Sequence, residues 1–135
     1  MGLINDCLCV FCNTELETRE HLFLQCPTAT LMWETAFTLS GLQFTFCSWD
    51  VFVERACSTW RGKSMLTMIM KLLLNALVYL LWEERNKRMF QGRSRPASEL
   101  LKTVKDVISL QLRGRIFKRV DVNISLCNHW RIVDC

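Results

Sequence analysis

Apolar side chains recur at steps of three and four residues along most of the chain, which is the spacing of one face of an α-helix. This pattern predicts one helix over residues 28–40 and another over residues 49–61, each followed by a glycine that can end it. Ser48 precedes the second helix, where its hydroxyl can cap the first turn. Residues 41–49 alternate briefly, which predicts a short strand or an extended loop. The apolar stripes are Ala29, Trp33, Ala36 and Phe37 in the first helix, and Phe52, Ala56 and Trp60 in the second.

The longest predicted helix covers residues 64–91 and is apolar on nearly all sides. A membrane-spanning helix needs about 20 mainly apolar residues. The longest stretch here without a charged side chain is the eleven residues from Leu72 to Trp82, and Lys71 would lie within any longer span. We therefore expect a helix covered by protein on all sides rather than one inserted in a membrane. The alternative is a helical protein that binds a partner or a membrane through residues 65–82.

One more helix is predicted in the last third of the chain. Gly92 to Pro96 interrupts the pattern, and proline suits the first turn of the helix that follows. That helix ends before Gly114, and we expect residues 115–135 to form a short basic segment and an apolar tail. The sequence thus predicts a mainly α-helical fold with a bundle of about four helices. The apolar stripe of this last helix is Leu100, Leu101, Val104, Val107, Ile108 and Leu112.

Charge is distributed unevenly along the chain. Residues 1–84 hold five basic and nine acidic side chains, whereas residues 85–135 hold twelve basic and four acidic ones. A net charge of −4 is thus followed by a net charge of +8. A basic segment behind an acidic one favours contact with nucleic-acid phosphates.

Basic side chains near the end of the longest helix are the candidates for that contact. Trp82 and Phe90 lie among them, and aromatic rings beside cations suit single strands, whose bases stack and whose phosphates pair. The alternative is a solvated helix end, where cations interact favourably with the helix dipole. The same two interpretations apply to a second basic group. The first group is Arg85, Lys87, Arg88, Arg93 and Arg95, and the second is Arg113, Arg115, Lys118 and Arg119.

Four metal-ligand side chains lie within eighteen residues near the amino terminus, in the order Cys9-x2-Cys12-x8-His21-x4-Cys26. Zinc prefers four tetrahedral ligands, and Cys thiolate and His imidazole are its usual ones. A site with four protein ligands keeps no open position for a reactive water. The pattern therefore predicts a small Cys-Cys-His-Cys zinc knuckle with a structural Zn²⁺, placed before the helical bundle.

The residues around the four ligands fit such a knuckle. Asn13 follows the second Cys, where a left-handed backbone is often needed, and Asn tolerates that conformation. Thr18 can cap a short helix that carries His21. Cys26 lies five residues after His21, about 140° round an ideal helix, so we expect the chain to unwind between them. Pro27 agrees, because the residue before a proline disfavours helical geometry.

Other interpretations of the cysteines stay open at this point. The chain has eight cysteines, and buried free cysteines pack as small hydrophobic side chains. Cys9 and Cys12 could form a redox pair, although no strand–helix pattern surrounds them, and Cys7 could compete with Cys9 for a metal. No secretory signal is visible, so we expect an intracellular, reducing location in the nucleus or cytoplasm.

Two segments resemble the zinc-binding region found downstream of reverse transcriptase in the polyproteins of plant LINE-type (non-LTR) retrotransposons. Residues 7–33 match its Cys-x2-Cys, its Glu-Thr-x-x-His-Leu-Phe and its Cys-Pro, with a Trp after them. Residues 76–91 match its Ile-Trp-x-x-Arg-Asn-x-x-x-Phe, with Leu81 at the first position. The matching residues are Cys9, Cys12, Glu17, Thr18, His21, Leu22, Phe23, Cys26, Pro27, Trp33, Trp82, Arg85, Asn86 and Phe90.

The resemblance implies a zinc-binding domain over residues 1–92, followed by a basic linker helix and tail over residues 93–135. It implies RNA or DNA of the element and the rest of the polyprotein as partners, and no small-molecule substrate. The family's region usually begins well upstream of its first Cys and often has Gly where Asn13 stands here. We therefore expect a truncated fragment of such a region.

Side chains for catalysis are not evident in the sequence. A polymerase needs paired aspartates that hold two metal ions, and no Asp-Asp pair occurs. Ribonuclease H chemistry needs several spaced carboxylates, whereas only four acidic residues follow Glu84. We therefore expect no enzyme activity from this chain itself.

Overall fold

The computed structural model describes residues 3–132, with side chains from Cys7 onward, and shows a mainly helical protein. Within these residues the chain forms a two-stranded sheet, a π-helix and five α-helices, so the predicted fold class is confirmed. In chain order the elements are β1 (Leu3–Leu8), β2 (Leu16–Thr18), the π-helix (His21–Gln25), α1 (Pro27–Leu39), α2 (Trp49–Thr59), α3 (Met65–Phe90), α4 (Ala97–Leu112) and α5 (Asp121–Trp130).

The antiparallel hairpin of β1 and β2 is absent from the sequence-based prediction. Leu3 pairs with Thr18 and Leu8 pairs with Leu16, and the register shifts between these pairs. β2 has only three residues, which is too short for an alternating pattern to be recognised. The hairpin is important here because its tip carries the first two cysteines of the predicted metal site.

α1 and α2 lie where the apolar periodicity predicts helices, within two residues at each end. The Ser48 hydroxyl accepts a hydrogen bond from the Val51 N–H at 3.3 Å, as expected of a capping residue. Residues 42–48 between the two helices form a loop without a strand. The rings of Trp33 in α1 and Phe52 in α2 meet edge to face with centroids 4.9 Å apart, and this contact anchors α2 to α1.

α3 packs against α1, α4, α5 and the π-helix through one face only. On the opposite face, 64% of Tyr79 and 39% of Trp82 are exposed, so the expectation of cover on all sides is wrong for the described residues. By length and composition alone, α3 could cross a membrane, but core helices of soluble proteins meet the same criterion. Within the protein, 44% of the most apolar 18-residue window of α3 is buried. The buried face includes Met65, Ile69, Leu73, Leu77 and Leu81.

α4 and α5 complete the same core. In the segment after residue 115, for which the sequence predicts an apolar tail, residues 121–130 form α5, a helix absent from the sequence-based prediction. Trp130 is buried, and its Nε1–H donates a hydrogen bond to the Ser40 hydroxyl at 3.2 Å. The predicted domain boundary at residue 92 stays a prediction, although side chains from both sides of it share the core. Those contributed by α4 are Leu100, Val104, Ile108 and Leu112.

Candidate metal centre

The tip of the hairpin holds Cys9 and Cys12 in a tight turn. The Cys9 N–H donates to the Glu15 carbonyl at 2.7 Å, and the Asn13 N–H donates to the Cys9 carbonyl at 2.8 Å. Asn13 has a φ of 56°, so the predicted left-handed backbone after the second Cys is confirmed. The turn brings both thiols to the side of the hairpin that faces the π-helix.

The other two candidate ligands are His21, the first residue of the π-helix, and Cys26, the residue directly after it. The Thr18 hydroxyl accepts a hydrogen bond from the His21 N–H at 3.0 Å, which confirms Thr18 as the predicted cap. The expectation that no continuous α-helix joins His21 to Cys26 is confirmed, because Cys26 has a φ of −59° and a ψ of 138°, outside the helical region, as its place before Pro27 predicts. Between the two residues the helix widens into a π-helix, and the Cys26 N–H donates to the His21 carbonyl at 2.7 Å, five residues back. This wider turn and the extended backbone at Cys26 bring the His21 and Cys26 side chains into the same cluster.

The four ligand atoms form one cluster, within 4.8 Å of one another. The Cys9 and Cys26 Sγ atoms are 3.8 Å apart, and Cys12 Sγ lies 3.2 Å from His21 Nε2. Zinc–ligand bonds of usual length give tetrahedral edges of about 3.8 Å between two sulfurs and about 3.6 Å between sulfur and nitrogen. Cys9, Cys12, His21 and Cys26 can therefore hold a metal ion after only small shifts of their side chains.

The thiols differ in how readily they ionise. The hydrogen bond with Cys26 lowers the pKa of Cys9 to about 5, although burial opposes this effect. The same hydrogen bond, together with burial, raises the pKa of Cys26. Burial also acts to raise the pKa of Cys12, but hydrogen bonds from the Thr14 hydroxyl and nearby backbone outweigh it and lower that pKa to about 7. A metal binds thiolates, so binding would release the proton from Cys26.

Apolar side chains and satisfied backbone groups enclose the cluster. Cys9 and Cys26 are fully buried, as is Leu22 beside them, whereas Cys12 is half-buried. Two backbone carbonyls near the end of the π-helix accept hydrogen bonds from side chains of α1. Trp33 Nε1–H donates to the Phe23 carbonyl at 2.7 Å, and the Thr30 hydroxyl donates to the Leu24 carbonyl at 2.9 Å. The ligand-bearing segment is thus bonded directly to α1 below it.

A buried ion pair joins β2, the strand between the two pairs of candidate ligands, to α3. Arg85 donates from Nε and from Nη2 to the two carboxylate oxygens of Glu17, at 2.9 and 3.1 Å. Glu17 is 1% exposed and Arg85 is 6% exposed. The guanidinium also lies 4.8 Å from the centre of the Trp82 ring. Arg85 is therefore directed into the protein, and its predicted role as a phosphate contact is wrong.

Three other members of the predicted phosphate-binding group also pair with carboxylates. Arg88 Nε and Arg95 Nε donate to the two oxygens of Glu84, at 2.7 and 2.9 Å. Glu84 is fully buried; burial acts to raise its pKa, but the hydrogen bonds from Arg95 and Arg88 lower it. Lys87 donates to Glu83 at 3.2 Å. Among the described residues, Arg93 alone of the five is exposed without an ion pair.

Two of the three acidic residues around the cluster also have internal partners. Glu17 is paired with Arg85, and Glu20 Oε1 accepts the N–H of Trp49 at 2.7 Å, at the first residue of α2. Glu15 is exposed. The surface near the cluster therefore carries less free negative charge than the sequence indicates.

The remaining described cysteines lie outside the cluster. Cys7 and Cys57 are exposed, and Cys47 is half-buried. Cys127 is disulfide-bonded. Within residues 3–132, the four predicted ligands are the one group of cysteine, histidine and acidic side chains placed to share an ion.

No family model, curated protein or solved structure matches this chain. Interpretation of the cluster therefore depends on its own donor atoms and geometry.

Proposed function

We propose that this chain is a structural zinc-binding module, and the observation that carries the proposal is the convergence of three sulfurs and one imidazole nitrogen within 4.8 Å. Such a donor set favours zinc, which binds Cys and His tetrahedrally. All four positions would be taken by protein side chains, so no site is left for a reactive water. The ion would join the hairpin tip to the start of the helical bundle.

We further propose that the module is a non-catalytic region of a reverse-transcriptase polyprotein from a plant LINE-type retrotransposon. The support comes from where the two matching segments lie in the fold. Glu17 of the first segment pairs with Arg85 of the second, and the rings of Phe23 and Trp82 are 6.2 Å apart. Residues that define the resemblance in separate parts of the sequence thus form one packed unit around the candidate metal centre.

The nucleic-acid partner, RNA or DNA, belongs to this proposal as well. Since Arg85, Arg88 and Arg95 have internal partners, the phosphate contacts are better assigned to cations that face solvent. Arg93 is one of them, and the second basic group follows α4 in an exposed segment. This second group is Arg113, Arg115, Lys118 and Arg119.

Metal analysis of the purified protein, with two ligand variants beside it, tests the zinc proposal. We expect one zinc per chain in the wild type, and loss of that zinc in Cys9→Ser and in His21→Ala. Cys57→Ser is the matched control, because its thiol is exposed and lies outside the cluster, and it should keep one zinc. Zinc retained in both ligand variants would contradict the ligand set.

The structural role is tested separately, by unfolding the chain before and after metal removal. Metal binding to structural sites contributes directly to folding free energy, so a chelator should lower the unfolding temperature of the wild type. It should leave Cys9→Ser unaffected, since that variant has no ion to lose. An unchanged unfolding temperature in the wild type would contradict a structural role.

A further inference from the structure

A cavity of about 260 Å³ lies between α5 and the segment that connects α4 to α5. Its apolar wall consists of Phe117 from the connecting segment, Ile124 from α5 and Ile132 from the residues after α5. Pockets for drug-sized ligands are typically about 300–1,000 Å³, so this cavity suits a smaller chemical group. None of the four candidate metal ligands lines it, so the cavity is separate from the metal centre.

The end of the cavity at Ile132 is built by a reversal of the chain after α5. Arg131 has left-handed backbone with a φ of 54°, and the Ile132 N–H donates to the Cys127 carbonyl at 3.0 Å. Ile132 is buried as a result. Backbone hydrogen bonding therefore holds this apolar wall in place.

Two carboxamides of α5 line the same cavity, those of Asn123 and Asn128. The Asn123 Nδ2–H donates to the Lys118 carbonyl at 2.9 Å, which holds this side chain against the connecting segment. A carboxamide offers both hydrogen-bond donors and an acceptor. The pair therefore suits a ligand whose edge also carries both donors and acceptors, as the edge of a nucleobase does.

Lys118 and Arg119 add positive charge to the lining of the cavity. Both are exposed, and neither forms an ion pair within the part of the chain that the structure describes, in contrast to Arg85, Arg88 and Arg95. None of the described residues that line the cavity is acidic. A phosphate group could therefore bind beside the cavity without displacing an internal carboxylate.

We propose that the cavity binds one unpaired base of a single-stranded nucleic acid, with the phosphate next to that base on Lys118 and Arg119. This inference rests on the nucleic-acid partner proposed above, and it adds a base contact to the phosphate contacts. The aromatic and aliphatic wall packs on the base, and the two carboxamides bond its edge. A base in a duplex is stacked and paired, so it enters such a cavity only after leaving the helix. Single strands are therefore bound in preference to duplexes.

Binding of the full zinc-loaded chain to two single strands of about ten nucleotides tests the proposal. One is DNA of mixed sequence, and the other has the same sugar–phosphate backbone without bases. Fluorescence anisotropy measures both dissociation constants, and we expect the strand with bases to bind about tenfold more tightly, the effect of one stacked base. Equal binding would overturn the base contact and leave the phosphate contacts standing. Binding of neither strand would overturn the nucleic-acid partner as well.

Two variants in the cavity locate the effect. Asn128→Leu keeps the approximate size of the side chain but removes its donors and acceptor, and it should weaken binding of the strand with bases about fivefold. Phe117→Leu removes the ring but keeps an apolar side chain, and it should weaken that binding about tenfold. Neither should change binding of the strand without bases. Since Asn128 is exposed, its variant keeps the fold and decides the result if Phe117→Leu unfolds.

Asn75→Leu and Phe46→Leu are the matched controls. Both residues are exposed and lie outside the cavity, so these variants should bind both strands as the wild type does. Circular dichroism checks that each variant is folded. Equal weakening in the cavity variants and the controls would overturn the proposal, as would a duplex of the same sequence that binds as tightly as the single strand.

Discussion

Arg85 illustrates which properties of a residue are visible in the sequence and which depend on the fold. Its charge, its position in a basic run and its aromatic neighbours are all visible in the sequence, and they favour contact with phosphate. Its partner Glu17 is 68 residues away in the chain, so the ion pair becomes visible only when the fold is known. The cluster of four candidate metal ligands was predictable because these residues are local in sequence and chemically distinctive.

Removing one member of the Arg85–Glu17 pair should strongly destabilise the protein. In Arg85→Gln the buried Glu17 carboxylate loses its counter-ion, and such losses cost about 3–5 kcal/mol. Urea unfolding followed by circular dichroism measures this change in the free energy of unfolding. Lys87→Gln is the control, since its ion pair with Glu83 is about one-third exposed and should contribute less than about 1 kcal/mol. Equal effects in the two variants would contradict the internal role of Arg85.

Among the elements, helices were predicted well where caps and apolar stripes coincide, as for α1 and for α2 after Ser48. α5 was missed because its buried residues are few, with Leu126 and Trp130 four positions apart. The π-helix was missed because helical reasoning assumed 3.6 residues per turn. The His21–Cys26 spacing is itself the signal for a wider turn, once both residues are required at one ion.

The carbonyl contacts of α1 should stabilise the π-helix measurably. In Thr30→Val the methyl groups keep the volume of the side chain, but the Leu24 carbonyl loses its hydrogen bond. We expect the free energy of unfolding to fall by about 1 kcal/mol. Thr35→Val in the same helix removes an exposed hydroxyl that bonds only within α1, and should cost less than about 0.5 kcal/mol. No difference between the two variants would show that the Thr30 contact does not stabilise this turn.

For the whole molecule, the hairpin, π-helix and α3 form one unit through the candidate metal centre and the Glu17–Arg85 pair. Fold class was predictable from helical periodicity, whereas the exposed half of α3 was not. A sequence shows that a helix is apolar on many sides, but not which sides other elements cover. The excess of basic residues in the last third of the chain was likewise visible in the sequence. Which of these cations face solvent was not, because the buried carboxylates of Glu17 and Glu84 pair with Arg85, Arg88 and Arg95.

The salt dependence of binding to a single-stranded oligonucleotide tests where nucleic acid contacts the molecule. Four phosphate contacts through the second basic group predict a log–log slope of about −2.8. The double variant Arg115→Gln, Lys118→Gln should reduce the slope by about 1.4, because two contacts are lost. Arg55→Gln with Lys63→Gln removes the same charge from another exposed part and should leave the slope unchanged. Equal reductions in both double variants would indicate non-specific attraction to net charge.

X-ray absorption at the zinc edge tests the central claim most directly, because it reports the atoms bonded to the ion. The structure predicts three sulfur neighbours at about 2.3 Å and one nitrogen neighbour at about 2.0–2.1 Å. In His21→Ala the nitrogen from imidazole should disappear from any zinc that remains. A wild-type spectrum with four sulfurs, or one dominated by oxygen and nitrogen, would contradict a centre made of Cys9, Cys12, His21 and Cys26.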